Sequence, residues 1–399
     1  MSLTLDSRLL LEPVDIHKDK KNYIVEDKAT GEFYEMTEVC IDAINKMNNG
    51  VPLGQIENHL KEKYPKEVVD LIDFANQLLE LNLIDQIDGI KVEKQHREKV
   101  ELGFLRISPK LGKFFFNRFT YPFYMILFVV ILILFIKNPS LFPQRDDIFV
   151  FDIMVYNVIL WLAFSFFLVL IHEFGHVLAM RAQNLPTKVE VSHRLFFVVL
   201  ETDMSPVWKL APKDRNILFL AGLCFDMVIL FFSLIYLLMF PNGPRLANAL
   251  MSLAVFDIVM RVIFQCCIYM KTDLYFVFEN LSGCYNLMEN AIQSIRKRLS
   301  ILKVRLQGEV IFASERTTII IYSIFYMLGI AATIAVYSIY YIPEVIYAGN
   351  HLLPGFTQSP TNLAFWDALV FSLQVSIYLL LLLYSWRKKY NHHKLRNEM

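Results

Sequence analysis

Sulfur chemistry is nearly absent from this chain. Its five cysteines, Cys40, Cys224, Cys266, Cys267 and Cys284, form no CxxC pair, and several stand in apolar surroundings. Neither a disulfide framework nor a thiolate metal site is indicated, and the cysteines read as small buried hydrophobes. The first residues, "MSLTLDSRLLLEPVD", lack the basic start and long apolar core of a secretory leader, so a cleaved signal peptide is not expected and the N-terminus is expected to stay in the cytoplasm. Net charge is also missing, at +0. That zero averages unlike parts, because 55% hydrophobic residues and a mean hydropathy of +0.40 fit a membrane protein better than a set of soluble domains.

Residues 1–90 contain no apolar run long enough to span a bilayer and carry 18 acids against 9 bases. They read as a soluble domain. In "KNYIVEDKATGEFYEMTE" two β-prone runs flank "DKATG", where Gly31 supplies a positive φ for a hairpin. Cys40, Ala43, Ile44 and Met47 then share a helix face behind a Thr37 cap, with Asn49-Gly50 as its stop. Ile56 and Leu60 mark a second helix, and Val68, Val69, Ile72, Ala75 and Leu79 a third. Strands followed by three short helices suggest a winged-helix-like α+β domain. A DNA-binding role is disfavoured, because phosphate contacts need a basic surface and this one is acidic. Residues 91–118, charged and then basic-aromatic in "KLGKFFFNR", suit a linker reaching the membrane surface.

From Tyr121 onward six segments are long and apolar enough to span, roughly 121–137, 152–176, 217–240, 246–270, 317–341 and 364–386. The fold class expected is therefore a membrane all-α domain, residues 119–399, behind the small N-terminal domain. Segments 181–215, 271–316 and 387–399 hold 6, 7 and 5 Lys+Arg, whereas 138–148, 241–245 and 342–365 hold 1, 1 and 0. By the positive-inside rule both termini are cytoplasmic. "SIRKRLSILKVR", Ser294 to Arg305, is basic with Ile295, Leu299 and Leu302 at helix spacing and reads as a membrane-surface helix.

The second apolar segment ends in "FFLVLIHEFGHVLAM". In a helix His172 and His176 lie one above the other on one face, so both imidazoles can bind a single zinc ion while Glu173 stands beside it to take the proton of a bound water. At this composition the string H-E-x-x-H arises by accident in on the order of one chain in a hundred. Its position at the end of a span argues further against accident, since ionisable residues there are costly and usually functional. Asp152 and Asn157, nearer the other end, read as interfacial.

A zinc site of this type needs a third protein ligand. Asp273, in "YMKTDLYFVFENLSG", follows the fourth span at the matching depth and is the favoured candidate. Glu279 is a weaker competitor, displaced by nearly two turns. Asp226 and Asp257 lie within the third and fourth spans, and Asp257 stands four residues from Arg261, the spacing of a helix-face ion pair.

HEFGH at the cytoplasmic end of one span, with an aspartate near the cytoplasmic end of the second span after it, resembles the site-2 protease class of intramembrane zinc metallopeptidases. The family's three-helix core would correspond to residues 152–290. The resemblance implies His172, His176 and Asp273 as zinc ligands and Glu173 as catalytic base. The family aspartate is usually followed by glycine, whereas Leu274 stands here. The continuation "DLYFVFENLSGCYNL", through Tyr275, Gly283, Asn286 and Leu287, is similar to bacterial peptide zinc metalloproteases encoded with ribosomal peptide antibiotics, as is "LETDMSPVWKLAPKDRNILFLAGLCFD" with Gly222. The N-terminal order of "TGEFYEMTE", "MNNG", "LGQIENHLKEKY" and "LLELNLID" resembles the PqqD-like domains that recognise leader peptides, which implies peptide capture as an added strand at the hairpin Tyr23 to Met36.

The activity expected is zinc endopeptidase cleavage of a ribosomally synthesised peptide or its leader at the cytoplasmic face of the cell membrane. The partners expected are the peptide substrate, the lipid bilayer and a candidate peptide transporter, with no nucleic acid. Two alternatives stand beside it: a regulatory cut in a transmembrane signalling protein, and a non-catalytic export or immunity component that keeps the motif as a relic.

Overall fold

The computed structural model describes residues 3–65, 67–92, 103–144, 147, 149–151, 153–195, 197–299 and 315–397. The chain folds into two units, one built mainly from Met1–Gly103 and Ser205–Lys213, the other from Phe104–Met204 and Asp214–Lys394.

The first unit holds two small antiparallel sheets and three helices. Strands β2 (Val14–Lys18), β3 (Tyr23–Asp27) and β4 (Phe33–Met36) form one sheet; β1 (Leu9–Leu11) pairs with β5 (Ile84–Ile87) and that with β6 (Ile90–Lys91) in the other. The β3–β4 hairpin forms where the sequence predicts it. Gly31 sits at φ +82°, and the Asp27 carboxylate accepts from the Ala29 N–H and the Thr30 hydroxyl at 2.9 and 2.8 Å, closing the turn. Strands β1, β2, β5 and β6 are not expected from the sequence; β1 and β6, of three and two residues, are too short to show a period. Helices α1 (Glu38–Asn48), α2 (Leu53–Lys63) and α3 (Leu71–Glu80) follow β4. Thr37 precedes α1 in an extended conformation, but its hydroxyl donates to Cys40 Sγ and does not cap the helix. The third helix begins later than its apolar spacing suggests. Asp70 caps it by accepting from the Asp73 N–H at 2.9 Å, which leaves Val68 outside the helix and 99% exposed.

Ile44, Met47, Leu53, Ile56, Leu60, Leu78 and Leu83 are fully buried in this unit's core, each worth roughly 1.5–3 kcal/mol of apolar burial. The segment Ser205–Lys213 is part of the same unit. His17, on β2, is hydrogen-bonded through Nε2 to the Trp208 carbonyl at 2.8 Å, and Lys209 pairs with Glu26 of β3 at 2.6 Å.

The second unit begins with α4 (Pro109–Phe115), within the stretch expected as a linker; of that stretch, residues 93–102 lie outside the described residues. Then come α5 (Thr120–Lys137), α6 (Met154–Ala182), the hairpin β7 (Lys188–Arg194) and β8 (Phe197–Asp203), α7 (Pro212–Phe219), α8 (Ala221–Met239), α9 (Arg245–Gln265), α10 (Asp273–Ser282), α11 (Leu287–Leu299), α12 (Arg316–Val336), α13 (Ile342–Leu352) and α14 (Leu363–Asn397). A π-helical turn, Tyr337–Tyr341, joins α12 to α13.

Among the described residues six helical stretches, Thr120–Lys137, Val155–Ala182, Ala221–Met239, Arg245–Gln265, Arg316–Thr357 and Leu363–Arg387, are long and apolar enough to cross a membrane. Their outward faces stay apolar: on α5 alone Phe123, Met125, Ile126, Phe128, Val129, Leu132, Ile133 and Ile136 are exposed, a contiguous run of the kind that marks an interaction or membrane surface. Inside, Ile131 and Phe135 of α5, Leu168 of α6, Met227, Leu230 and Leu234 of α8, and Val255 and Ile258 of α9 pack together.

The structure departs from the sequence reading around the second and fourth spans. Helix α6 continues past His176 to Ala182, α9 stops at Gln265, and the chain between α6 and α7 contains the unforeseen β7–β8 hairpin. Of the cysteines, Cys224 and Cys284 are buried, whereas Cys266 is exposed. Asn157 is buried, its side-chain amide bonded to the N–H and the carbonyl of Phe151 at 2.7 Å, which ties the first turn of α6 to the chain before it. Asp152 lies outside the described residues. So does Arg305 with the rest of the basic stretch beyond Leu299, while α11 covers its beginning.

Candidate metal centre

Helix α6 has 29 residues, about 43 Å at 1.5 Å per residue. His172 therefore lies roughly 27 Å from its start, a distance comparable to a hydrocarbon layer about 30 Å thick. The i, i+4 spacing places His172 and His176 on one face, ring centroids 5.1 Å apart. The third member arrives from a different element. After α9 ends, the chain turns through Ile268–Met270 and Lys271 at φ +54°, and Asp273 becomes the first residue of α10.

This turn brings the Asp273 Oδ2 to 3.1 Å from His172 Nε2 and 3.3 Å from His176 Nε2. The edge of a tetrahedron with metal–ligand bonds of 2.0–2.1 Å is about 3.3 Å. The buried group His172, His176 and Asp273 could hold a metal ion. His176 Nε2 is buried and makes no hydrogen bond although Asp273 is adjacent, as suits an atom whose partner is an ion. A methyl group added at Gly222 would lie 2.3 Å from His172 Nε2, so only glycine leaves that edge of the ring open.

The other ring nitrogens are occupied. His172 Nδ1 lies 2.7 Å from Asp226 Oδ2, and His176 Nδ1 2.9 Å from the Leu218 carbonyl. An Nδ1–H donated to each acceptor leaves both Nε2 lone pairs directed at the shared position, the arrangement metal-binding histidines use. Asp273 is held as firmly. Gln265 donates its amide to Asp273 Oδ2 at 2.8 Å, while the Asp273 N–H donates to Gln265 Oε1 at 2.8 Å. Glu173 is buried too, with Oε2 accepting from the Thr202 hydroxyl of β8 at 2.7 Å.

Deeper along the same helices, Arg261 donates through Nη1 to Asp226 Oδ1 at 2.8 Å and through Nη2 to Asp257 Oδ2 at 2.6 Å. Asp257 also accepts from the Ser165 hydroxyl. An unpaired charge inside a membrane costs about 2.5–3.5 kcal/mol or more, and this pairing offsets it.

The structure thus brings His172, Glu173, His176 and Asp273 to one place and sends Glu279 elsewhere: its carboxylate accepts from the Tyr275 hydroxyl and the Leu287 N–H at 2.8 and 3.1 Å. Asp257 and Arg261 pair as their spacing indicates. Asp226, Thr202 and Gln265 are site residues that the sequence reading assigned no role. Their only sequence signal is a polar residue inside or beside an apolar run, which names no partner.

Compared with family models, with curated proteins and with solved structures, the chain matches none.

Proposed function

We propose that this chain is a membrane-embedded zinc endopeptidase that cleaves a ribosomally synthesised peptide or its leader during maturation or export. The observation that carries the reading is the convergence of His172 Nε2, His176 Nε2 and Asp273 Oδ2, with the acid Glu173 one residue from the first ligand. Two neutral imidazoles and one carboxylate are a donor set suited to zinc with one position left open. Zinc held there supplies a Lewis acid and lowers the pKa of a bound water. Glu173 accepts a proton at its carboxylate from the attacking water and delivers it to the departing amine. Thr202 keeps that carboxylate from turning away. The apolar length of α6 excludes bulk water on one side of the site.

The resemblance to site-2 proteases supports the same reading, with Leu274 as a departure from the family pattern. In this reading both termini face the cytoplasm, as the Lys+Arg alternation favours. The N-terminal unit is a winged-helix-like PqqD domain that raises the local concentration of its peptide beside the metal. A peptide transporter would take the product.

The test compares peptides from cells carrying wild-type chain or Glu173→Gln by mass spectrometry. An uncut precursor should accumulate only with the variant, while metal content stays at one ion per chain. Unchanged processing by an inserted variant would remove Glu173 from the chemistry. Absence of stoichiometric metal from the wild type would favour the non-catalytic export or immunity role.

A further inference from the structure

The two histidines are anchored by unlike partners. His176 donates to a neutral backbone carbonyl, that of Leu218, whereas His172 faces the carboxylate of Asp226, a fully buried residue. The second oxygen of that carboxylate is taken by Arg261, and Arg261 is itself fixed by Asp257 and by the Leu168 carbonyl at 3.2 Å. One guanidinium therefore ties together α6, α8 and α9 at the depth where His172 projects. Hydrolysis as proposed uses none of these three charged side chains directly.

We propose that Arg261 is a positioning residue for the metal centre: by fixing Asp226 it sets the tautomer and ring plane of His172, so that Nε2 faces His176 and Asp273. This rests on the zinc reading above. Asp226 accepts from two donors at once, and a freely rotating carboxylate would satisfy Arg261 or His172 with either oxygen. Arg261 is bound at three points, to Asp226, Asp257 and Leu168, so its plane is determined, and Asp226 inherits that orientation. A lysine could keep the charge at Arg261 but could not bridge two carboxylates in one plane. Partners of this kind commonly change metal affinity 10–100-fold when altered.

The full chain, purified in detergent micelles, is titrated with zinc against a chromophoric chelator, loaded with cobalt for its visible spectrum, and melted without metal. Arg261→Lys and Asp226→Asn are expected to weaken zinc binding by roughly 10–100-fold and to change the cobalt spectrum. Asp257→Asn, which removes a pairing from the far side of Arg261, is expected to weaken zinc far less than either. If Arg261→Lys does not insert, Asp226→Asn, which keeps an acceptor of the same shape, reads the same quantity. Wild-type affinity and spectrum in Arg261→Lys and Asp226→Asn, with only the metal-free melting temperature lowered, would make the trio a plain ion-pair network and overturn the proposal. A wild-type chain that binds no zinc would overturn the zinc reading itself, and this inference with it.

Discussion

The hydroxyl of Thr202, on β8, donates to Oε2 of Glu173, on α6, at 2.7 Å. A two-stranded hairpin thus reaches the acidic residue that the metal ligands flank. Hydrogen bonds to charged groups are worth about 1.5–3 kcal/mol, so Thr202→Val, which keeps the shape and removes the donor, is expected to slow peptide cleavage by roughly 10–100-fold. Bound metal should not change. Equal turnover in wild type and variant would show that the hairpin has no part in holding Glu173.

Gly222 offers a sharper steric test. Its missing side chain leaves the space beside His172 Nε2, where an added Cβ would stand at 2.3 Å. Gly222→Ala must displace either the imidazole or α8. The expected result is loss of stoichiometric metal while the chain still inserts, read by elemental analysis of purified protein; a fully loaded variant would show that the ring has room to retreat.

Glu279 gives stability a pH dependence. Burial pushes its carboxyl up to about 7, only partly opposed by the Leu287 N–H and the Tyr275 hydroxyl. Because the folded value lies above the ordinary 4.5, the folded chain binds this proton more tightly than the unfolded one. Its contribution is complete below about pH 4.5 and is lost as pH rises toward 7, an interval worth about 3 kcal/mol. Glu279→Gln keeps an acceptor for both donors and does not titrate. The variant should melt at a higher temperature than wild type at pH 8 and at the same temperature near pH 4; parallel melting curves at both would refute this assignment.

In the N-terminal unit the contrast is between Leu60, fully buried, and Val68, 99% exposed. Leu60→Ala should cost about 2–5 kcal/mol and speed amide exchange across α1 to α3 in the full chain. Val68→Ala should leave exchange unchanged. A comparable effect from both would mean that Val68 has a covering surface.

How much of this was legible before folding depends on how far apart the partners lie. His172, Glu173 and His176 form a pattern within one helical turn, and Asp257 and Arg261 meet along one helix face, so spacing alone points to both. The six apolar spans are legible because about 20 residues of hydrocarbon-soluble sequence have few other uses. The β7–β8 hairpin was missed although Lys188–Ser192, "KVEVS", alternates polar and apolar residues; its partner β8, "FVVLETD", shows no such alternation to pair with it. The roles of Asp226 and Gln265 were hidden for another reason. Asp226 meets His172 across 54 positions of sequence, and Gln265 reaches Asp273 only because α9 stops there and the chain reverses through Lys271, a left-handed residue that no local signal marks.

The path of the chain through Ser205–Lys213 gives the protein an unusual severability. The backbone passes from one unit to the other at 103–104, returns at 204–205, leaves again at 213–214 and returns once more at 394–395. The N-terminal portion is tied to its own distant segment by His17 with Trp208 and by Glu26 with Lys209. That portion is not a cassette that cloning could lift out whole, since residues 1–103 expressed alone would lack the piece of themselves that is encoded a hundred positions downstream.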